Sequence, residues 1–431
     1  MHLRIVLLFM LLLPGLAPAA TYYVSPAGSD STACASAQSR ATPKQSVNGG
    51  VTCLGPGDTL LVLPGVYAES LGNTPASYPY CCGTNACTDV PVPSGTPGNP
   101  VTIKAETPRT AILRPPNRNC FYSIIYPAGV QWLVLDGLVT DSVHQTAYGQ
   151  DVDIRDDHGQ DPGHITLQNM EITRSGNHGI AGVCGVGLTM SYHSSDYVIR
   201  NNSIHDLGGA DLDGCYGIYY HASNGLIEGN EIYNTMSHGI HFYNIQAVGG
   251  DNSNNVFRNN VIYNNRSRGF LLASAGRGNQ IYNNILYNNG TGDNRGGLVI
   301  GCYGPSADVE VYNNTIVGNT GWAIRNCAPN TLVRNNILWS NTQNGISPEG
   351  SGTMDHNLIG IDPLFVNAAA ADYHLQPGSP ARAAGVPMPG ISTPSGGPPD
   401  LGALQGLSPT GLPGPRPPLP TPQNVRLLPI P

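Results

Sequence analysis

The chain has 431 residues and a formal net charge of −8, and only 11% of it is charged, against about 25% in an ordinary soluble domain. That balance excludes a highly charged disordered chain. An acidic sequence whose two lysines are Lys44 and Lys104 is also unsuited to gripping nucleic acid by its phosphates.

At the start, Arg4 precedes the apolar run Ile5 to Leu13, and Ala17-Pro18-Ala19 follows. This reads as a secretory signal over residues 1–20, with an apolar stretch too short to span a membrane comfortably. No later segment reads as a membrane span, and the mature protein is expected outside the cell or at its surface. Ten cysteines, an even number in an exported chain, predict disulfides. No paired C-x-x-C pattern of a structural zinc site is present.

Between residues 169 and 357 lie 31 of the 39 asparagines, and they recur in a unit. It reads Asn201-Asn202-Ser203-Ile204, Gly229-Asn230-Glu231-Ile232, Asn259-Asn260-Val261-Ile262, Asn283-Asn284-Ile285-Leu286, Asn313-Asn314-Thr315-Ile316 and Asn335-Asn336-Ile337-Leu338. A second signal follows each unit: Gly179-Ile180, Gly217-Ile218, Gly239-Ile240, Gly269-Phe270, Gly297-Leu298, Ala323-Ile324 and Gly345-Ile346. Short β-branched strands at such a period cannot bury their apolar faces alone and must stack. The pattern predicts an all-β coil of parallel strands, with Ile and Leu columns inside and asparagine ladders at the corners.

Here the sequence resembles the right-handed parallel β-helix proteins of the pectate-lyase-like superfamily, over roughly residues 21–405. Tyr22-Tyr23-Val24-Ser25-Pro26, Pro56-Gly57-Asp58-Thr59 and Pro64-Gly65-Val66-Tyr67 resemble the opening cap and first coil of secreted members. Asp362-Pro363-Leu364-Phe365, Tyr373 to Ala381 and Asp400-Leu401-Gly402-Ala403 resemble the closing segment of bacterial choice-of-anchor β-helix proteins. The resemblance implies a single solenoid, divided into a signal (1–20), an N-terminal cap and first coils with Cys-rich loops (21–130), the β-helix (131–366), a closing segment (367–405) and a Pro-rich tail (406–431). It specifies no reaction, since the superfamily holds polysaccharide lyases, epimerases, hydrolases and proteins without known activity.

Aligning the coils and alternating the strand places Ala181, Tyr219, His241, Leu271, Val299 and Arg325 in one outward column. Val183, His221, Tyr243, Ala273, Gly301 and Cys327 form the next. Tyr219, His221, His241 and Tyr243 become one patch, with His238, Arg266 and Arg268 at its edge. Such a set suits an acidic sugar: His221 or His241 as base, Tyr219 or Tyr243 as proton donor, Arg266 or Arg268 as carboxylate clamp, and His238 as a further catalytic candidate. A neutral imidazole base would make activity fall as pH drops through roughly 6.5. Lysine chemistry is disfavoured, because neither lysine lies in the central coils.

A further column, His205, Tyr233, Tyr263, Tyr287, Val317 and Trp339, is either a strip of rings for sugar stacking or plain core. Asp211 and Asp213 could supply hydrolytic carboxylates or calcium ligands. Asp151-Val152-Asp153 and Arg155-Asp156-Asp157-His158 read as an acidic loop, also open to calcium. Asp161-Pro162-Gly163-His164 resembles the Asp-Pro-His-Asp element of mannuronan epimerases but lacks its third and fourth residues, so no role is carried over. The expected partner is an acidic polysaccharide, taken by a monomer. The competing readings are a glycoside hydrolase and a non-catalytic glycan-binding or surface-attachment β-helix. Disulfides are expected for Cys302–Cys327, Cys184–Cys215 and Cys34–Cys53, from places brought together on neighbouring coils or across the cap.

Overall fold

The computed structural model describes residues 19–73, 90–115, 125–127, 129–143, 149–154, 161–175, 185–190, 194–208, 214–243, 252–274, 276–393 and 396–406. Three parallel sheets run the length of the molecule, with 12, 11 and 10 strands among these residues. We name them A, B and C in the order the chain visits them. One coil takes Leu226–Glu228 in sheet A, Glu231–Thr235 in sheet B and Ile240–Tyr243 in sheet C. The next takes Val256–Arg258, Val261–Tyr263 and Phe270–Ser274. Each strand pairs in parallel with its counterpart one coil on, as Ile232 does with Ile262. The chain is a parallel β-helix.

The Asn-Asn doublet has two separate tasks at the A-to-B corner. Its first member takes a left-handed backbone, with φ of 56° at Asn201, 57° at Asn259, 54° at Asn283 and 58° at Asn335, which asparagine tolerates better than other non-glycine residues. Gly229 takes the same conformation where the doublet reads Gly-Asn. The second member is buried and forms the ladder: Nδ2 of Asn202, Asn230, Asn260, Asn284, Asn314 and Asn336 each donates to Oδ1 of the next, at 2.9–3.0 Å, ending on Asn357. The sequence does not single out a second ladder at the B-to-C corner, where Asn265, Asn289, Asn319 and Asn341 bond in the same way.

The glycine of the Gly-Ile signal answers a close approach. A Cβ on Gly239 would lie 2.5 Å from Ile262 Cγ2 and 2.6 Å from the Gly269 carbonyl oxygen. Behind that bend Ile204, Ile232, Ile262, Leu286, Ile316 and Leu338 fill the inner column of sheet B, all fully buried. Ile218, Ile240, Phe270, Leu298 and Ile324 do the same for sheet C.

The start of the apolar column is covered, and a second apolar cluster lies outside it. Near the start, the short helices Cys34–Ala37 and Val47–Val51 bring Ala37, Val47 and Val51 into the core. In the second cluster, Phe365, Tyr373, Leu375, Ala381, Leu401 and Ala403 pack on Ile285, Tyr287, Val317 and Ile337, so the closing segment folds back over the outer face of sheet B. No helix among the described residues is long and apolar enough to cross a membrane.

Cys302–Cys327 and Cys34–Cys53 are disulfides, with Cα atoms 4.9 Å and 5.4 Å apart. Cys215 is disulfide-bonded as well; Cys184 of the third expected pair lies outside the described residues. Replacing Cys302 and Cys327 together with alanine is expected to cost about 3.5 kcal/mol, the loop-closure value for a separation of 25 residues. A denaturation midpoint equal to that of the unmodified chain would contradict this.

Candidate functional site

The outer face of sheet C gathers the rings. Parallel pairing sets Thr189, Tyr219, His241, Leu271, Val299 and Arg325 side by side on successive strands. The expected column holds from Tyr219 onward. Its first place belongs to Thr189 rather than Ala181, because the strand Gly185–Met190 brings Leu188 beside Ile218; Gly187-Leu188, not Gly179-Ile180, is the signal of that coil. Ala181 and Val183 lie outside the described residues. The second column is corrected at one place: a bulge after Phe242 pairs Tyr243 with Ser274, not Ala273.

Six rings converge here. Tyr219 and His221 lie 4.0 Å apart between centroids, Tyr219 and His241 5.0 Å, His238 and His241 5.4 Å, and His241 and Tyr243 5.6 Å. Tyr216, the residue before Gly217, stacks on His238 at 5.3 Å and meets His241 edge-on at 4.5 Å. His221 is buried, and its Nδ1 bonds the Tyr243 carbonyl oxygen. A carbonyl can only accept, so Nδ1 carries a proton, and in the neutral ring the lone pair is then on Nε2.

Arg268 is only 4% exposed. Its Nη1 donates to His238 Nε2 at 3.3 Å and its Nη2 to the Tyr303 hydroxyl at 2.5 Å. Nε has no hydrogen-bond partner, and among the described residues no carboxylate lies within ion-pair distance of the guanidinium. Burial lowers its pKa. Burial, helped by His241 and Arg268, also pushes His238 well below the usual imidazole range. His241 is pushed down to about 3 by burial and by the nearby His221 and Arg268. The expectation of an ordinary imidazole titrating near 6.5 is therefore corrected for His241. Arg266 is half-buried and lies over Gly292.

Other sequence candidates fall elsewhere. His205, Tyr233, Tyr263 and Tyr287 form a parallel stack on sheet B, with centroids 4.8–4.9 Å apart. Their faces are turned to one another, leaving edges rather than faces for a ligand. His205 closes this stack as a cation: burial opposes its charge, but Asp206 and Glu171 raise its pKa to about 9. Asp151 and Asp153 are not in a loop; they lie on the strand Gly149–Ile154 of sheet C and are buried. Asp153 pairs with Thr189, so it continues the column of Tyr219 and His241, a member the sequence reading missed. Burial raises the Asp151 pKa well above the carboxylate range, and Asp141 adds to the rise. Asp211, Asp213 and the stretch Arg155 to His158 lie outside the described residues. Among the described residues Cys302, Cys327 and Glu349 form the one group close enough to share a metal ion, and the disulfide removes its thiolates. Lys104 sits on sheet A against Asp136 at 3.5 Å, and Lys44 bonds the Asp30 carbonyl oxygen, so neither reaches the patch.

The family described as right handed beta helix region matches residues 139–316. No curated protein matches the sequence. Among solved structures, pectate lyase Pel9A aligns with a TM-score of 0.64 and 17% identity, covering 90% of this chain and 97% of that one. A rhamnogalacturonan lyase aligns at 0.57 and 15% identity, covering 83% and 94%. The A-module of the Azotobacter vinelandii mannuronan C-5 epimerase AlgE6 aligns at 0.50 and 19% identity, covering 68% and 71%. Identities this low speak for architecture alone, and with the stacked sheets they establish that the chain has the right-handed parallel β-helix fold of pectate-lyase-like proteins.

Proposed function

We propose that the sheet C face of this protein, exported by its signal sequence, acts on a uronate-containing polysaccharide by abstracting the proton alpha to the sugar carboxylate. The observation that carries this reading is Arg268, a buried cation without a carboxylate partner among the described residues, set beside histidines held neutral. A uronate carboxylate supplies the missing charge, and bound to the guanidinium it spreads the negative charge that develops as the proton leaves. His221, whose Nε2 holds the lone pair, takes the C5 proton. The C4–O bond then breaks while Tyr219 or Tyr243 protonates the departing oxygen, giving an unsaturated uronate end. Returning the proton to the opposite face instead would give epimerisation. His238 positions Arg268 rather than acting as base, because its Nε2 faces a guanidinium donor. Arg266 supplies a second cation at the edge, and Tyr233, Tyr263 and Tyr287 belong to the structural stack.

A screen of pectic, alginate and neutral polysaccharides, read for reducing ends and for ultraviolet absorbance of unsaturated ends, tests the reading. Turnover confined to uronate polymers supports it. Reducing ends from a neutral glycan would instead favour a hydrolase built on carboxylates such as Asp211 and Asp213, and binding without turnover would favour a glycan-binding β-helix. Loss of turnover on chelation, restored by calcium alone, is what calcium held by the acidic stretches requires.

His241 adds a pH signature. In the empty site it stays neutral down to about pH 3, so it contributes no acid limb near 6.5 to kcat/KM, which reports the free enzyme. Burial and His221 depress it more than Arg268 does, but a carboxylate on Arg268 offsets that last contribution, so any acid limb that His241 gives to kcat is expected at higher pH than its limb in kcat/KM. Coincident limbs would count against the pairing. The same depression acts on stability. Unfolded His241 binds a proton below about 6.5 while the folded residue does not, so its contribution is present above 6.5 and lost as pH falls toward 3. His241→Gln is expected to flatten that part of the curve of denaturation midpoint against pH.

A further inference from the structure

Arg268 poses a geometric difficulty for any ligand. The guanidinium is 4% exposed, whereas Tyr303, whose ring centroid lies 5.3 Å from Arg268 Cζ, is 52% exposed. The Tyr303 hydroxyl oxygen is the acceptor for Nη2 at 2.5 Å, while the adjoining Nε is buried without a partner. These two nitrogens form one edge of the fork that a carboxylate grips with both oxygens. A phenol oxygen therefore stands where one carboxylate oxygen would sit. Tyr303 reaches this place from the segment after the strand Leu298–Ile300. The root of that segment is fixed by the Cys302–Cys327 disulfide and by the Tyr303 N–H donating to the Ala273 carbonyl at 3.1 Å. The backbone is held, while the side chain borders solvent.

We infer that Tyr303 is a gate over the carboxylate clamp: it occupies Arg268 in the empty protein, and an acidic sugar must displace it to bind. The inference rests on the proposed uronate site and adds a residue that selects among ligands. A neutral sugar hydroxyl gains nothing over the phenol it would replace, whereas a carboxylate brings a full charge to a buried cation and wins the exchange. The gate thus discriminates by charge, at the expense of affinity for every ligand.

Arginine labelling with phenylglyoxal, followed at Arg268 by peptide mass mapping of the full chain, reads the gate without any sugar. Tyr303→Ala is expected to label about tenfold faster than the unmodified protein, and Tyr303→Phe, which keeps the ring but frees Nη2, at an intermediate rate. Equal rates in all three proteins would overturn the gate. The phenylalanine variant carries the test if the alanine variant unfolds. Trigalacturonate and trimannuronate then separate the two ideas. At least one of them should protect Arg268 from labelling, and should bind Tyr303→Ala roughly tenfold more tightly, since the competing hydrogen bond to a charged group is gone. Fast labelling in Tyr303→Ala with no protection by either would leave the gate standing and refute the uronate site. Protection with unchanged labelling rates would do the reverse.

Discussion

Replacing His221 with alanine is expected to lower turnover of the uronate polymer by roughly 10²- to 10⁴-fold, the range a positioned general base contributes. Two features single it out from its neighbours. Its Nδ1 proton is committed to the Tyr243 carbonyl oxygen, which fixes the tautomer and locks the ring. Its ring also lies 4.0 Å from that of Tyr219, the proton donor proposed for the same patch. His238 offers its lone pair to Arg268, and His241, pushed down to about 3, is a poor base until a carboxylate arrives. His221→Asn is the informative companion, because its side-chain amide keeps a donor for the carbonyl while losing the base. The asparagine variant should melt nearer the unmodified protein than the alanine variant, which leaves a cavity in place of a buried side chain, and both should share the loss of turnover. Full activity in either would remove His221 from the mechanism and transfer the role to His241. Arg268→Ala should weaken uronate polymers and leave any neutral polymer untouched.

The second large effect falls on stability. Asn260→Ala is expected to cost about 4 kcal/mol, because the side chain serves four buried groups at once. Its Nδ2 donates to the Ile227 carbonyl and to Asn284 Oδ1, and its Oδ1 accepts from the backbone N–H and Nδ2 of Asn230, all at 2.9–3.0 Å. Removing it strips partners from groups that water cannot reach, at about 1–3 kcal/mol for each one left unsatisfied. Asn259→Gly, one residue earlier in the same doublet, should change stability by less than about 1 kcal/mol. That residue supplies a φ of 57°, which glycine adopts without strain. Matching losses from the two substitutions, in urea denaturation, would break the division of labour assigned to the doublet.

That doublet also explains why the fold was legible. Left-handed corners and amide ladders can be built from few residue types, so Asn201-Asn202 or Asn313-Asn314 declares its geometry in one dimension. The Gly-Ile signal worked for a similar reason, since only a residue with little or no side chain fits against Ile262 at Gly239. The column from Tyr219 to Arg325 followed from those anchors. Where two signals competed, spacing could not choose, and Gly179-Ile180 displaced Gly187-Leu188. The same slip hid Asp153, because a strand reading Gln150-Asp151-Val152-Asp153-Ile154 imitates an acidic loop when the covering segments are ignored. Burial was the quantity least visible. Nothing in the residue types marks Arg268 as enclosed, His241 as unable to hold a proton at neutral pH, or Tyr303 as reaching across from the next coil. These depend on long-range packing.

The A-to-B corner has a consequence for how such a molecule can change over generations. Its two strands and intervening doublet keep a fixed length, because an added residue would break the amide ladder and turn an apolar column outward. Yet the distance between successive ladder asparagines varies, from 30 residues between Asn230 and Asn260 to 21 between Asn336 and Asn357. All of that variation is absorbed in the other two connections, which flank sheet C. Insertions therefore accumulate around the patch of rings while the frame beneath stays unaltered. Selection can remodel the surroundings of that patch, one loop at a time, without renegotiating the core.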